Sequence, residues 1–540
     1  MPASTIDNID DAVKMIVRHL HGDKEILVVV DSDCDGYTSA ALLLNYLHTH
    51  FPTIVEKKVY YEFHDGKIHG INPHMVRDDV GLVIAPDSSS NDYDIHKTLK
   101  ERGIDVLVID HHQADMVSPY ACVVNNQLCD YPTKSLSGVG MVYKVCKRFD
   151  ELCGFDNADD FLDLVSVGIV ADMMDIHDFE TRRLISKGFD ALKNPLIRGL
   201  YQKNAKRTRN YDPLTPIGVS FQIAPYINSI TRVGSQEEKR VLFESMLTWK
   251  AFDSIPSTKR GCKGQYEQRV EQAMRLCTNV KSRQNRTRDK NLETIEKIIV
   301  DNDLLNNKLL IIKLEEFAVD RNLSGLIANQ LIAKYQRPVA ILNKIINDEN
   351  QITWEGSARG YDKCGILNFR EFVRESGLSI LAEGHPNAFG IGFTDEGLSK
   401  FIQYSEETLQ DMTLEPCTLV DYIWAANDIR VKDVTDIGNL EPFWGQEIPE
   451  PYIAVEGINV TKDKITLLES GPTLKIALPN GITCLKFKSS EEEYKELCSA
   501  SGCVTINIIG KCQNNKYNGM ITPQIKIESY EIVKRQEYYF

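Results

Sequence analysis

Residues 26–36 read ILVVVDSDCDG, an apolar run that passes directly into aspartates at positions 31, 33 and 35. Two such charges repel by roughly 1 kcal/mol at 4 Å in water, and by more beside a protein. Folding requires no such crowding, but a shared cation would relieve it. Two further apolar runs end in the same way. LVIAP is followed by Asp87, and VLVI is followed by Asp110, His111 and His112. A fourth acidic position closes the helix-like run LVSVGIVAD at Asp172, with Asp175 as a nearby competitor. Carboxylates with a minority of imidazoles suit Mn²⁺ or Mg²⁺ better than zinc held by thiolates. Two such ions about 3.5–4 Å apart share one water, lower its pKa toward ~7 and clamp a phosphoryl group for in-line attack.

The elements that must position these groups follow from the hydrophobic pattern. Continuous apolar stretches at 26–30, 57–63, 82–85, 105–109 and 121–124 alternate with helical patterns near 37–50, 93–102, 137–153 and 158–170. Short, wholly apolar strands separated by helices predict an α/β domain with a doubly wound parallel sheet. In such sheets ligands bind beyond the carboxyl ends of the strands. A single D-x-D after a strand reads equally well as a helix cap. Acidic and imidazole groups after three strands of one sheet, with Asp172 besides, favour a metal site.

A second α/β pattern runs from 294 to about 410, through NKLLIIKLE, RNLSGLIANQLIAKY and RPVAILNKI. From about 450 the chain turns to alternating strands and turn residues, the size and pattern of an OB-fold barrel. The expected organisation is a catalytic domain at 1–234, a connecting helical segment at 235–293, a substrate-binding domain at 294–410, a linker at 411–449 and a barrel at 450–540.

Composition narrows the class. The chain has 540 residues, 42% of them hydrophobic and 26% charged, which implies several globular domains. Its thirteen cysteines form no C-x-x-C pair, as expected of reduced thiols in a cytoplasmic protein. Cys34, between two aspartates, is read as a small space-filler. No run approaches the ~18 apolar residues of a membrane span. The net charge of −15 argues against a general nucleic-acid coat but not against an acidic metal enzyme with local basic patches. Two such patches are QKNAKRTRN at 202–210 and KSRQNRTRDK at 281–290.

DSDCDG followed by VLVIDHH resembles the DHH phosphoesterase superfamily, and the chain resembles its RecJ-like branch of single-strand-specific exonucleases over almost its full length. The resemblance continues through NNQLCDYPTKSLSGVGMVYK, APYINSITRVG, NLSGLIANQLIAKYQRPV, GSARG, EGHPNAFGIGF and LEPFWGQEIPEP. It implies that Asp33, Asp35, Asp87, Asp110, His111 and Asp172 hold two Mn²⁺ or Mg²⁺ ions, with Asp87 bridging. Asp31 is a further ligand or a supporting group, and His112 touches the scissile phosphate. Arg232, Ser357, Arg359 and His385 match phosphate-gripping positions. His64 and Lys67 stand near the place of an arginine that the family usually carries. Glu383 and Phe389 replace a glycine and an alanine of the family's G-G-H-x-x-A-A-G element, and Thr231 replaces a glycine before Arg232.

The function so implied is degradation of single-stranded DNA from its 5′ end to mononucleotides, by a monomer with a single-strand-binding protein or a helicase as partner. Barrel residues such as Tyr517, Phe487 and Lys516 would bind the strand. The alternatives are a DHH phosphodiesterase for oligoribonucleotides or cyclic dinucleotides, and a non-catalytic replication scaffold. The phosphodiesterases are usually shorter and lack the barrel. A scaffold would have lost metal ligands that this chain retains.

Overall fold

In a computed structural model the described residues are 1–540 apart from 67, 209–213, 316–318, 320–322, 347–349, 412–417, 469–471, 500–501, 518–519 and 537–540. Lys67 and Arg209 therefore lie outside them, and the side chain of Tyr517 is not described. The chain forms two compact units, one of Met1–Cys277 with Leu419–Phe540 and one of Thr278–Thr418.

The first unit is built on β1 (Glu25–Val30), β2 (Val59–Phe63), β3 (Val80–Pro86), β4 (Asp105–Asp110) and β5 (Cys122–Asn125). They form one parallel sheet in the order β2-β1-β3-β4-β5. Its helices are α1 (Ile9–His21), α2 (Cys34–His50), α3 (Pro52–Lys58), α4 (Tyr93–Glu101), α5 (Gly138–Cys153), α6 (Leu162–Ala171) and α7 (Phe179–Asp190). On the sheet, Leu27, Val29, Val83, Val106 and Val108 share a core with Leu99 of α4. The residues alternating with them are equally buried, and α2 and α5 contact β1 and β4. Burial on both faces explains why these strands read as unbroken apolar runs rather than as alternating ones.

The same unit contains a seven-stranded sheet with a core that includes Val455, Ile458, Ile506, Ile508 and Ile525. Part of the stretch expected as a linker, 411–449, belongs to it. Tyr422–Ala425 pairs in parallel with Ile453–Thr461, and Ile429 and Val434 lie in the barrel core. Four strand residues and an eight-residue helix, Val431–Gly438, are too short to stand out of a polar sequence, and their burial comes from the barrel strands they pack on.

The second unit has a five-stranded sheet in which Ile352–Arg359 lies between Val339–Ile346 and Ala388–Thr394, both antiparallel to it. Phe389, a departure from the family pattern, is buried there and packs edge-on against Phe369. The 33-residue helix Arg269–Asp301 carries the basic run at 281–290. No helix among the described residues is long and apolar enough to cross a membrane.

Candidate metal centre

The carboxyl ends of β1, β3 and β4 deliver their acidic residues to one edge of the sheet. Three overlapping clusters arise there: Asp31, Asp33 and Asp87; Asp87, Asp110, His111 and His112; and Asp35, His111 and Asp172. Within each, one ligand atom per residue lies within 4.8 Å of all the others. Asp87 belongs to two clusters, and so does His111. Of the two candidates after α6, Asp172 enters the site, whereas Asp175 pairs with His177 at 2.9 Å.

Local structure explains these positions. Asp33 caps α2 by accepting the Gly36 N–H at 3.0 Å, which turns the chain so that Asp31 and Asp35 flank the helix start. A Cβ on Gly36 would lie 2.5 Å from that of Asp31, so only glycine fits. Asp87 has φ 70°, a left-handed conformation that aspartate tolerates at some cost. At the start of α5, the Ser137 hydroxyl and the Val139 N–H donate to Asp35 Oδ1 at 3.0 and 3.3 Å. Gly138 and Gly168 leave room for the carboxylates, since added Cβ atoms would lie 2.2 Å from Asp87 Oδ1 and 2.3 Å from Asp35 Oδ1.

The electrostatics are unbalanced without cations. Burial, and then the neighbouring aspartates, push Asp87 and Asp172 well above the carboxylate range, and burial with Asp33 pushes Asp35 up to about 7. Burial also raises Asp31, against the opposing effect of His69. Asp110 differs. Burial alone would raise it, but the hydrogen bond and charge of His112 outweigh that and hold it well below the ordinary range. The His112 ring is drawn down by burial, yet Asp110 at 2.8 Å lifts it to about 9.

The donor set fits divalent metals. Asp31 Oδ1, Asp35 Oδ2, Asp87 Oδ1 and Asp172 Oδ2 are buried and accept no hydrogen bond among the described residues. Buried oxygens of this kind cost free energy unless something pairs them. Hard oxygens and imidazoles favour Mn²⁺ or Mg²⁺. Cys34 is buried between the aspartates, its thiol pushed up by burial, so it remains protonated as a space-filler.

His69 joins the site without any signal in the sequence. Its Nδ1 lies 2.5 Å from Asp31 Oδ2, and its side chain is about half exposed. His64, on the same connection after β2, is buried, and burial lowers its pKa. Arg232 is half-buried, and its guanidinium is depressed by burial against the attraction of Asp33. In the second unit, Ser357 Oγ is 2.9 Å from Ser324 Oγ at the start of helix Ser324–Tyr335. Arg359 reaches the same turn, where a Cβ on Gly325 would lie 2.4 Å from its Nη2. Arg359 and His385 both stand in register with Ala388, on strands either side of it. Ser324 lies in the motif NLSGLIANQLIAKYQRPV, but only the fold places it beside Ser357. On the barrel, Phe487 and Lys516 are exposed, and so is Tyr422, edge-on to Trp424 at 5.3 Å.

Residues 25–169 match the DHH family, N-terminal domain, and residues 420–529 match the RecJ OB domain. A putative SPbeta prophage-derived single-strand DNA-specific exonuclease, YorK, of Bacillus subtilis (strain 168) is 35% identical over 541 residues, covering 99% of this chain and 92% of that protein. The single-stranded-DNA-specific exonuclease RecJ of the same organism is 24% identical over 543 residues, covering 97% of this chain and 64% of its own. Among solved structures, RecJ from Thermus thermophilus in complex with Mn²⁺ is similar in fold, with a TM-score of 0.70 and 19% identity over 98% of this chain and 72% of that one.

A carboxyl with a raised folded-state pKa stabilises the fold fully only below its unfolded pKa, and the effect is lost as pH climbs through the folded value. Asp35, near 7, and His112, near 9, share this sign. The metal-free protein should therefore melt at progressively lower temperature between about pH 5 and pH 8. Saturating Mn²⁺ should abolish or reverse the trend, and Asp35→Asn should flatten it without metal. A metal-free melting temperature that rises over this range would contradict the electrostatic description.

Proposed function

Because the chain belongs to the RecJ family of single-strand DNA-specific exonucleases, we propose that it hydrolyses single-stranded DNA from the 5′ end to mononucleotides, using two Mn²⁺ or Mg²⁺ ions. The observation that carries this reading is the set of interlocking carboxylate and imidazole clusters at one sheet edge. Asp33, Asp35, Asp87, Asp110, His111 and Asp172 would hold the ions, Asp87 being the acid common to two of the clusters. Asp31 completes the acidic wall, oriented by His69. Bound there, the ions supply charge neutralisation at the phosphoryl group and acidify the attacking water.

The protein's own groups supply the rest. Held by Asp110 through Nδ1, the His112 ring offers its other nitrogen as a donor to a phosphoryl oxygen as charge develops there. The backbone N–H groups of His111, His112 and Ser90 all donate to Asp110, at 2.7, 3.2 and 3.0 Å, which fixes its orientation. Arg232 is partly desolvated beside Asp33, where its charge acts strongly on an incoming phosphate.

Recognition of the strand end is assigned to the second unit. Ser324, Ser357 and Arg359 gather at the N-terminus of a twelve-residue helix, an arrangement suited to a terminal phosphate. His385 adds a donor on the same sheet. The barrel holds the trailing strand, with Tyr422 and Phe487 as stacking surfaces and Lys516 as a phosphate contact. His64 is buried rather than open to solvent, on the connection that carries His69. We place the enzyme in the cytoplasm as a monomer, fed by a helicase or a single-strand-binding protein.

Matched 5′- and 3′-labelled single strands test the reaction. Mononucleotide release should begin at the 5′ label, require Mn²⁺ or Mg²⁺, and fall at least about a hundredfold in Asp172→Asn with the circular-dichroism spectrum unchanged. Release from the 3′ label first, or full activity in excess chelator, would overturn the proposal. Arg359→Ala should narrow the preference for a 5′-phosphate over a 5′-hydroxyl while Mn²⁺ affinity stays constant. Equal loss on both substrates would instead assign Arg359 to general strand binding.

A further inference from the structure

The motif LEPFWGQEIPEP (440–451) takes no part in the chemistry above, yet the fold brings it against the loop after Asp172. Past the short turn Glu441–Phe443, Gly445 and Ile448 exchange backbone hydrogen bonds at 2.9 and 3.2 Å and present the Gln446 carbonyl outward. That carbonyl accepts the N–H of Ile176 at 3.4 Å, and the Ile176 carbonyl in turn accepts Arg182 Nε at 3.0 Å. Ile176 is buried, and a Cβ on Gly445 would stand 2.7 Å from its Cδ1 and 3.4 Å from Pro216 Cβ.

Only three residues separate Ile176 from Asp172. The loop leaves α6 through the Asp172 N–H to Gly168 bond at 2.9 Å, turns at Met173 with φ 56°, and enters α7 through the Asp178 cap. Beside the contact, Ile176, Ile185, Phe189, Pro216, Pro442 and Phe443 border a cavity of about 220 Å³. Dense packing therefore does not fix this junction. The backbone bond and the close approach of Gly445 to Ile176 do.

We propose that Gly445 and Gln446 form a strut that positions Asp172, so that the segment leading into the barrel helps to set metal affinity in the catalytic domain. Gly445 is a positioning residue: it touches neither metal nor substrate, a Cβ there meets the tip of the Ile176 side chain, and a branched side chain would crowd Pro216 as well and so load the loop. The inference rests on the reading of Asp172 as a metal ligand. It adds a means by which the N-terminal side of the barrel acts on the ions.

Mn²⁺ binding to the full-length protein, followed by the electron paramagnetic resonance signal of the free ion, separates the two ideas. Gly445→Val should weaken Mn²⁺ binding by about tenfold, the scale of a lost supporting contact. Adding Ile176→Ala, which removes the obstructing Cδ1, should restore most of it. If Gly445→Val does not fold, Gly445→Ala with the same rescue carries the test. Wild-type Mn²⁺ affinity in a folded Gly445 variant, or a loss that Ile176→Ala leaves unrescued, would overturn the strut. Asp172→Asn is the control. If it binds Mn²⁺ like the wild type, the ligand assignment fails; if it loses Mn²⁺ while the Gly445 variant does not, only the strut fails.

Discussion

The structure of the catalytic domain depends on mutual repulsion among buried carboxylates at the end of one parallel sheet. Asp31, Asp35, Asp87 and Asp110 are all buried within a few ångströms of one another or of shared neighbours, where charge is costly. Three features of the fold make this tolerable. Glycines at 36, 138 and 168 let backbone and carboxylate approach closely. The starts of α2 and α5 provide N–H donors and the positive ends of helix dipoles. Imidazoles at 69, 111 and 112 and the guanidinium of Arg232 supply partial compensation. They do not suffice, and the unpaired oxygens that remain form a binding site for divalent ions.

The same constraint separates the roles of neighbouring groups. Asp110 accepts three backbone N–H bonds and pairs with His112, which keeps it ionised, while Asp87 Oδ1 and Asp172 Oδ2 meet only the His111 ring, at 3.2 and 3.4 Å. One acid of the set is therefore well supported by donors, and the others are crowded against one another. A few residues of difference in backbone direction produce both outcomes from one residue type.

Much of this was legible in the chain. Unbroken apolar runs identify buried parallel strands, and the acidic and imidazole residues directly after each run are the ones that cluster at the sheet edge. A strand's carboxyl end is both where the run stops and where a doubly wound sheet binds. The choice of Asp172 over Asp175 needed the helix end, which lies at Ala171. His69 was missed because it lies on an irregular connection, and its contact with Asp31 spans 38 residues with no periodic signal. Ser324 and Tyr422 were missed for related reasons. One meets Ser357, 33 residues away, and the other lies in a four-residue strand defined by its pairing with the barrel.

The central claim is that this crowding exists to hold two ions. Anomalous diffraction at the manganese absorption edge, from crystals grown with Mn²⁺, tests it most directly. The account predicts two peaks about 3.5–4 Å apart, with Asp87 reaching both. A single peak, or peaks away from the ends of β1, β3 and β4, would contradict it.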